Sequence, residues 1–170
     1  TVTREPTTEQ DGEKTYACTN GCGETKTEAI PMLTADGFRR VAGANRFETA
    51  FAVADTLKET LGVAKFDTVI VASGSSFADA LSGSYLAAMR NAPILLSFTT
   101  DAINNQVKDY IHENLAPGGT VYILGGPKAV PESMESGLDA FTVKRLAGDD
   151  RFGTNLAILE EAGYDGKAIL

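Results

Sequence analysis

Two stretches of the chain combine a pair of arginines, a glycine turn and a residue able to cap a helix. The first is Arg40-Val41-Ala42-Gly43-Ala44-Asn45-Arg46-Phe47 and the second is Arg145-Leu146-Ala147-Gly148-Asp149-Asp150-Arg151-Phe152. A helix N-terminus offers free N–H groups and a positive dipole end, so an anion can settle there. An arginine beside it adds a planar fork that holds phosphate or carboxylate through two hydrogen bonds. Arg40, Arg46, Arg145 and Arg151 are therefore candidates for binding an anion. The competing reading ties each arginine to a neighbouring carboxylate such as Asp79 and leaves the glycine only to permit the turn.

Ser73-Gly74-Ser75-Ser76 is the other polar turn. Ser73 and Ser75 are candidates for binding an anion such as phosphate. The turn lacks the Lys-Ser/Thr pair of a P-loop and the G-x-G-x-x-G of a dinucleotide site, and it is not a G-x-S-x-G elbow. The single histidine, His112, falls within a predicted helix with no evident partner. A serine nucleophile would thus lack a base, and the motifs point to binding without catalysis and without a cofactor. An enzyme acting on a phosphorylated substrate is the weaker alternative. Cys18 and Cys22 face each other across an Asn20-Gly21 turn, which fits a local disulfide or two free thiols. A metal would need two further ligands, and no other cysteine exists in the chain.

The elements that would position these residues begin with a repeat. Residues 40–53 and 145–158 share 7 identities in 14 aligned positions, at an offset of 105. Such self-similarity marks a repeat array. The chain therefore divides into 1–31, a Cys-pair segment of hairpin character; 32–143, one complete repeat; and 144–170, the start of a second. It reads as part of a longer protein. Within the repeat, strands alternate with helices. A short strand at Phe38–Ala42 precedes a helix capped by Asn45, with Glu48 completing a capping box and Gly62 stopping it. Thr68–Ala72, Ala92–Ser97, Thr120–Leu124 and Thr142–Ala147 are apolar runs of the kind that form buried parallel strands. Helices are expected from Ser76 to Arg90, with Ser76 and Asp79 at its cap and Phe77 in the core. Others follow at Asn104–Asn114, Pro131–Leu138 and, capped by Asp150, up to Ala162. Lys167–Leu170 would open a further strand. This order predicts an α/β fold with an open, mostly parallel sheet flanked by helices. The turns at 43, 73–76, 125–126 and 148 would then lie at the carboxyl ends of the strands, where ligands collect in such sheets.

Composition narrows the partners. The net charge is −8, from 23 acidic and 15 basic residues. That disfavours non-specific binding to nucleic acid or to an anionic membrane. No apolar run approaches the roughly 20 residues that would span a bilayer. The first residues, TVTREPTTEQ, lack the basic start and apolar stretch of a signal peptide, so the signal of an exported protein would lie elsewhere.

Taken in order, four motifs resemble one known family. They are Arg40-Val41-Ala42-Gly43 with Arg46-Phe47 and Thr49-Ala50, Val71-Ala72-Ser73-Gly74 with Phe77-Ala78-Asp79-Ala80-Leu81, Pro93-Ile94-Leu95-Leu96-Ser97, and Tyr122-Ile123-Leu124-Gly125-Gly126 with Ala129-Val130. Together they are similar to the type 2 cell-wall-binding repeat of Gram-positive surface proteins. The resemblance covers about Phe38–Val143 in full and Lys144–Leu170 in part. It implies a Rossmann- or toprim-like fold, an extracellular place at the cell wall, and several repeats packed on one another beside a separate functional domain. It also implies non-covalent anchoring to an anionic, teichoic-acid-like glycopolymer. A purely structural repeat that only packs against its neighbours is the alternative. Residues 16–31 also resemble a Cys-pair segment found between domains of large extracellular bacterial proteins.

Overall fold

The structure is a computed structural model that describes residues 1–17, 23–33 and 39–164. The chain divides into two units, Thr1–Val41 and Ala42–Leu170. The first has too few branched aliphatics for a core and forms a small antiparallel sheet, β1 (Val2–Arg4), β2 (Gly12–Ala17) and β3 (Thr25–Ile30), in that order. Strands β2 and β3 pair from Gly12 opposite Ile30 to Ala17 opposite Thr25. The hairpin character is as expected, with one additional strand. Cys18, Cys22 and the turn between them lie outside the described residues, as do Phe38 and the expected strand at Lys167–Leu170.

The second unit is built on four parallel strands: β4 (Phe66–Ser73), β5 (Ile94–Ser97), β6 (Leu115–Leu124) and β7 (Thr142–Leu146), in spatial order β5-β4-β6-β7. Parallel neighbours need long crossovers. Helices α1 (Arg46–Leu61), α2 (Ala78–Arg90), α3 (Asp101–Asn114) and α4 (Arg151–Glu161) flank the sheet. Side chains alternate across the pleat and so feed two cores. Val69, Val71, Leu95, Val121 and Ile123 pack with α1 and α3 on one face. Ile70, Ala72, Tyr122 and Leu124 pack with α2 and α4 on the other. Val69, Ile70, Val71, Leu95, Val121, Ile123 and Leu124, all in the apolar runs expected to be buried, are fully buried, and Ile94 is half-buried. Among the described residues, no helix is long and apolar enough to cross a membrane.

Local signals explain most boundaries. Asn45 Oδ1 accepts the amides of Phe47 (2.9 Å) and Glu48 (3.0 Å). Glu48 reaches back to the Ala44 amide (3.0 Å), and Gly62 ends α1 at φ 67°. Asp150 caps α4 in the same way, through Phe152 and Gly153.

Several expectations are corrected. Residues 39–42 form no strand, although the equivalent segment is β7. Strand β7 exists because β6 presents it with an edge, pairing Thr120 to Thr142 through Leu124 to Leu146. Among the described residues, no strand pairs with 39–42. Ser76 does not cap α2: the helix starts at Ala78, and Phe77, already at helical dihedrals, stands at its N-cap with no side-chain bond. Phe77 is not core but 79% exposed. It heads an outward stripe with Leu81, Tyr85 and Met89. Helix α3 starts at Asp101 rather than Asn104, because Asn104 is used inside. Its side chain accepts from Ser97 Oγ (2.8 Å) and the Phe98 amide (3.0 Å), and it donates to the Phe98 carbonyl (2.8 Å). The Pro117-Gly118-Gly119 turn lies within β6, whose pairing with β4 shifts register between Phe66 and Thr68. The helix expected at Pro131–Leu138 is a single 3-10 turn, Glu132–Met134.

Candidate functional site

The strand order reverses direction at β4. The chain leaves β4 for β5 on one side, then returns across to β6 on the other. Loops diverge at such a switch point and open a crevice at the carboxyl ends of the strands. Here that crevice measures about 720 Å³ and is open to solvent. After β4 it is lined by Ser73, Ser75, Ser76, Ala78 and Asp79; after β6 by Gly126, Pro127, Lys128 and Ala129; after β7 by Gly148, Asp149, Asp150, Arg151 and Thr154.

The candidates separate by position. Ser73, Ser75 and Arg151 line this crevice together. Ser73 is buried, and its Oγ accepts the Ser75 amide (3.2 Å), which shapes the turn. Arg151 is exposed at the first position of α4. Arg46 donates through Nη1 to the Gly74 carbonyl (2.7 Å), holding the β4 turn from α1. The clamp on Arg46 is thus a backbone carbonyl and not the Asp79 carboxylate. Arg145 is committed internally. Its Nη1 donates to the carbonyls of Gly125 (2.7 Å) and Val130 (3.0 Å), and its Nε donates to Glu135 (2.7 Å). Its Nη2 is buried 2.6 Å from the same Glu135 oxygen but off the hydrogen-bonding direction, so it makes an ion pair and no hydrogen bond. Arg40 is exposed and belongs to the N-terminal unit.

Sequence reasoning missed Asp79, Lys128, Asp149 and Thr154 as crevice residues. Asp79, expected at the cap of α2, instead has its carboxylate over Gly125, close enough that a Cβ there would lie 2.5 Å from Oδ2. The signal for Lys128 was its place just after Gly125-Gly126, at a strand's carboxyl end. His112 lies away from the crevice, with Nε2 2.9 Å from the Gly137 carbonyl oxygen. On the α2–α4 face of the sheet, Tyr122 donates to Glu161 Oε1 (2.6 Å), and Lys144 reaches the same oxygen (3.0 Å). Burial and that bond push the Tyr122 phenol up to about 12, and the Tyr122 and Lys144 bonds hold Glu161 below the usual glutamate range.

A switch-point crevice carrying Lys128 and Arg151, the carboxylates of Asp79, Asp149 and Asp150, and serine hydroxyls suits a polar polymer, and comparison with known proteins agrees. The family model described as cell wall binding domain 2 (CWB2) matches residues 40–135. The chain belongs to the CWB2 family. N-acetylmuramoyl-L-alanine amidase LytC of Bacillus subtilis (strain 168) is 30% identical over 144 residues, which is 83% of this chain and 27% of that protein. The amidase enhancer of the same organism is 30% identical over 135 residues, 77% of this chain and 18% of that one. Among solved structures, Cwp8 from Clostridium difficile matches with a TM-score of 0.57 at 32% identity, over 76% of this chain and 22% of its own. Cwp6 from the same organism matches with a TM-score of 0.58 at 24% identity, over 88% and 22%, and speaks for the fold alone. The chain therefore spans about a quarter or less of each of these relatives. CWB2 membership gives it a cell-wall-binding role.

Proposed function

We propose that the crevice at the ends of β4, β6 and β7 binds an anionic, teichoic-acid-like glycopolymer of the cell wall, and that it does so without catalysing a reaction. The observation that carries this reading is the convergence of Arg151, Lys128, Ser73 and Ser75 on one open crevice in a CWB2 fold. Arg151 and Lys128 would meet phosphate groups, while Asp79 and the serines would take sugar or polyol hydroxyls. Arg46 would support the Ser73–Ser76 turn from behind, and Arg145 the Gly125–Val130 turn. The protein would be extracellular and held at the wall, a setting in which Cys18 and Cys22 would be paired. Residues 32–143 would act as one repeat and 144–170 as the beginning of another.

A second reading, packing against neighbouring repeats, is favoured by a separate observation. Phe152 and Leu156 of α4 are exposed, at 76% and 57%. The two readings are compatible, because that face is distinct from the side chains that line the crevice. The test is retention of the protein on purified Gram-positive wall before and after chemical removal of its anionic polymer. Retention that falls with polymer removal and with added salt supports the reading, since exposed charge pairs are screened. Equal retention on stripped wall rejects the anionic polymer.

A further inference from the structure

Lys58 of α1 and Asn114 at the end of α3 stand 56 residues apart in sequence and meet side chain to side chain, Lys58 Nζ against Asn114 Oδ1. Asn114 is buried, at 8% exposure, and the Lys58 side chain is 24% exposed. Also beside the amine is the Asp55 carboxylate, three residues earlier on α1, with Oδ1 3.8 Å from Nζ. Tyr110 fixes both of these neighbours. Its hydroxyl donates to the same Asp55 oxygen (2.7 Å), and its backbone carbonyl accepts from Asn114 Nδ2 (3.0 Å). Its ring is held in turn by Phe51, stacked at 5.0 Å. The core on this face of the sheet includes Ala54, Ile111 and Leu115, all buried. An ammonium forms its stronger hydrogen bond with a carboxylate. Lys58 instead bonds the neutral amide and keeps Asp55 beyond hydrogen-bond reach. A buried amide thus has an amine at its carbonyl and a carboxylate behind that amine.

We propose that Lys58 and Asn114 are a modification site, at which the folded chain joins the two side chains by an amide bond between Nζ and Cγ. A lysine amine becomes a nucleophile when an adjacent base removes its proton, and Asp55 is that base. The Asp55 carboxylate takes one proton from the Lys58 ammonium. The Nζ lone pair then attacks Asn114 Cγ, and the carbonyl electrons move onto Oδ1. A second proton passes from Nζ to Nδ2, the carbonyl re-forms, and the Cγ–Nδ2 bond breaks. Ammonia leaves and picks up the proton held by Asp55. The products are a secondary amide and ammonium, and nothing is oxidised or reduced. Fixed proximity is what makes such a step accessible between two otherwise unreactive groups. The link would tie α1 to α3 and close a covalent loop around β4, α2 and β5. That loop carries Ser73, Ser75 and Asp79 of the crevice, and closing it restricts the unfolded chain. The step needs neither polymer nor neighbouring repeat, so it can fail separately from both readings of function.

The test is the intact mass of the purified, reduced 170-residue chain, followed by a tryptic map. The folded protein should be lighter than its sequence by one ammonia. Trypsin should fail to cut after Lys58, and the map should contain one branched peptide joining Lys58 to Asn114. Lys58→Arg and Asn114→Ala should each restore the full sequence mass. Asp55→Asn separates chemistry from packing. It should stay folded, because Asp55 is exposed, yet be isolated largely unlinked, since a positioned base contributes about 100-fold or more to such a step. A folded parent with the full sequence mass overturns the proposal. So does a lost ammonia with normal cleavage after Lys58, which would place the loss at another asparagine. An Asp55→Asn protein as completely linked as the parent overturns it too, because the bond would then form without the base.

Discussion

The backbone amide of Gly148 donates to Oγ1 of Thr154 across the first turn of α4, at 3.1 Å. The glycine is required there: a Cβ on Gly148 would lie 2.4 Å from the Gly153 carbonyl carbon. Gly43 meets the same limit, its Cβ falling 2.4 Å from Glu48 Cβ. The repeated Gly-x-x-Arg-Phe-x-Thr pattern is thus first a folding device, which turns the chain tightly into a capped helix. It also places the residue after the cap, Arg46 or Arg151, at the helix's first position.

Gly148→Ala should therefore cost about 1–3 kcal/mol, the usual range for forcing a methyl into a filled site. Thr154→Val keeps the volume and removes the hydroxyl, and should cost about 1 kcal/mol. Chemical denaturation of both variants checks this, and a Gly148→Ala protein as stable as the parent would show that the turn opens freely.

In the sheet, Ile70 and Leu95 are fully buried on opposite faces. Ile70→Ala and Leu95→Ala should each cost about 2–5 kcal/mol. Ile94→Ala should cost less than either, because Ile94 is only half-buried. Urea midpoints for the three variants give the order directly.

These strands were legible because a parallel strand covered on both faces must be apolar at consecutive positions, as Val69–Ala72 and Val121–Leu124 are. The caps were legible because Asn45 and Asp150 have local partners. The errors came where tertiary context decided. Phe77 reads as core by type, but α2 turns it outward. Gly118 and Gly119 read as a turn, yet β6 absorbs them by shifting register against β4. Ser73, Ser75 and Arg151, which residue type and turn position single out, line the crevice together. Asp79 and Lys128 were missed because their meeting depends on strand order, which no local pattern encodes. Arg145 resembles a ligand in sequence and is a clamp in space, since its partners Gly125, Val130 and Glu135 lie 10 to 20 residues away.

Arg145→Lys should destabilise the unit by about 1–3 kcal/mol. A lysine cannot serve two carbonyls and a carboxylate in the fixed geometry of a guanidinium, and a buried acceptor is left unmade. Thermal melts should separate it from Arg151→Lys, which should leave stability unchanged because Arg151 is exposed.

Acid should loosen α4 from the sheet through Glu161. Its folded value is held below 4.5 by the Tyr122 and Lys144 bonds. A depressed carboxylate contributes stability that is complete above its unfolded value and is lost as pH falls through the folded one. Stability of the parent should thus decline below about pH 4.5 more steeply than that of Glu161→Gln. Parallel declines in the two proteins would show that Glu161 carries no such linkage.

The most direct measurement is retention on purified wall of the parent, the Lys128→Ala, Arg151→Ala double variant, and Arg40→Ala as a control in the other unit. The double variant should keep its melting temperature and lose most of its polymer-dependent retention, with a weaker dependence on salt, while Arg40→Ala binds like the parent. A double variant that is folded and retained as well as the parent would contradict the assignment of polymer binding to the switch-point crevice.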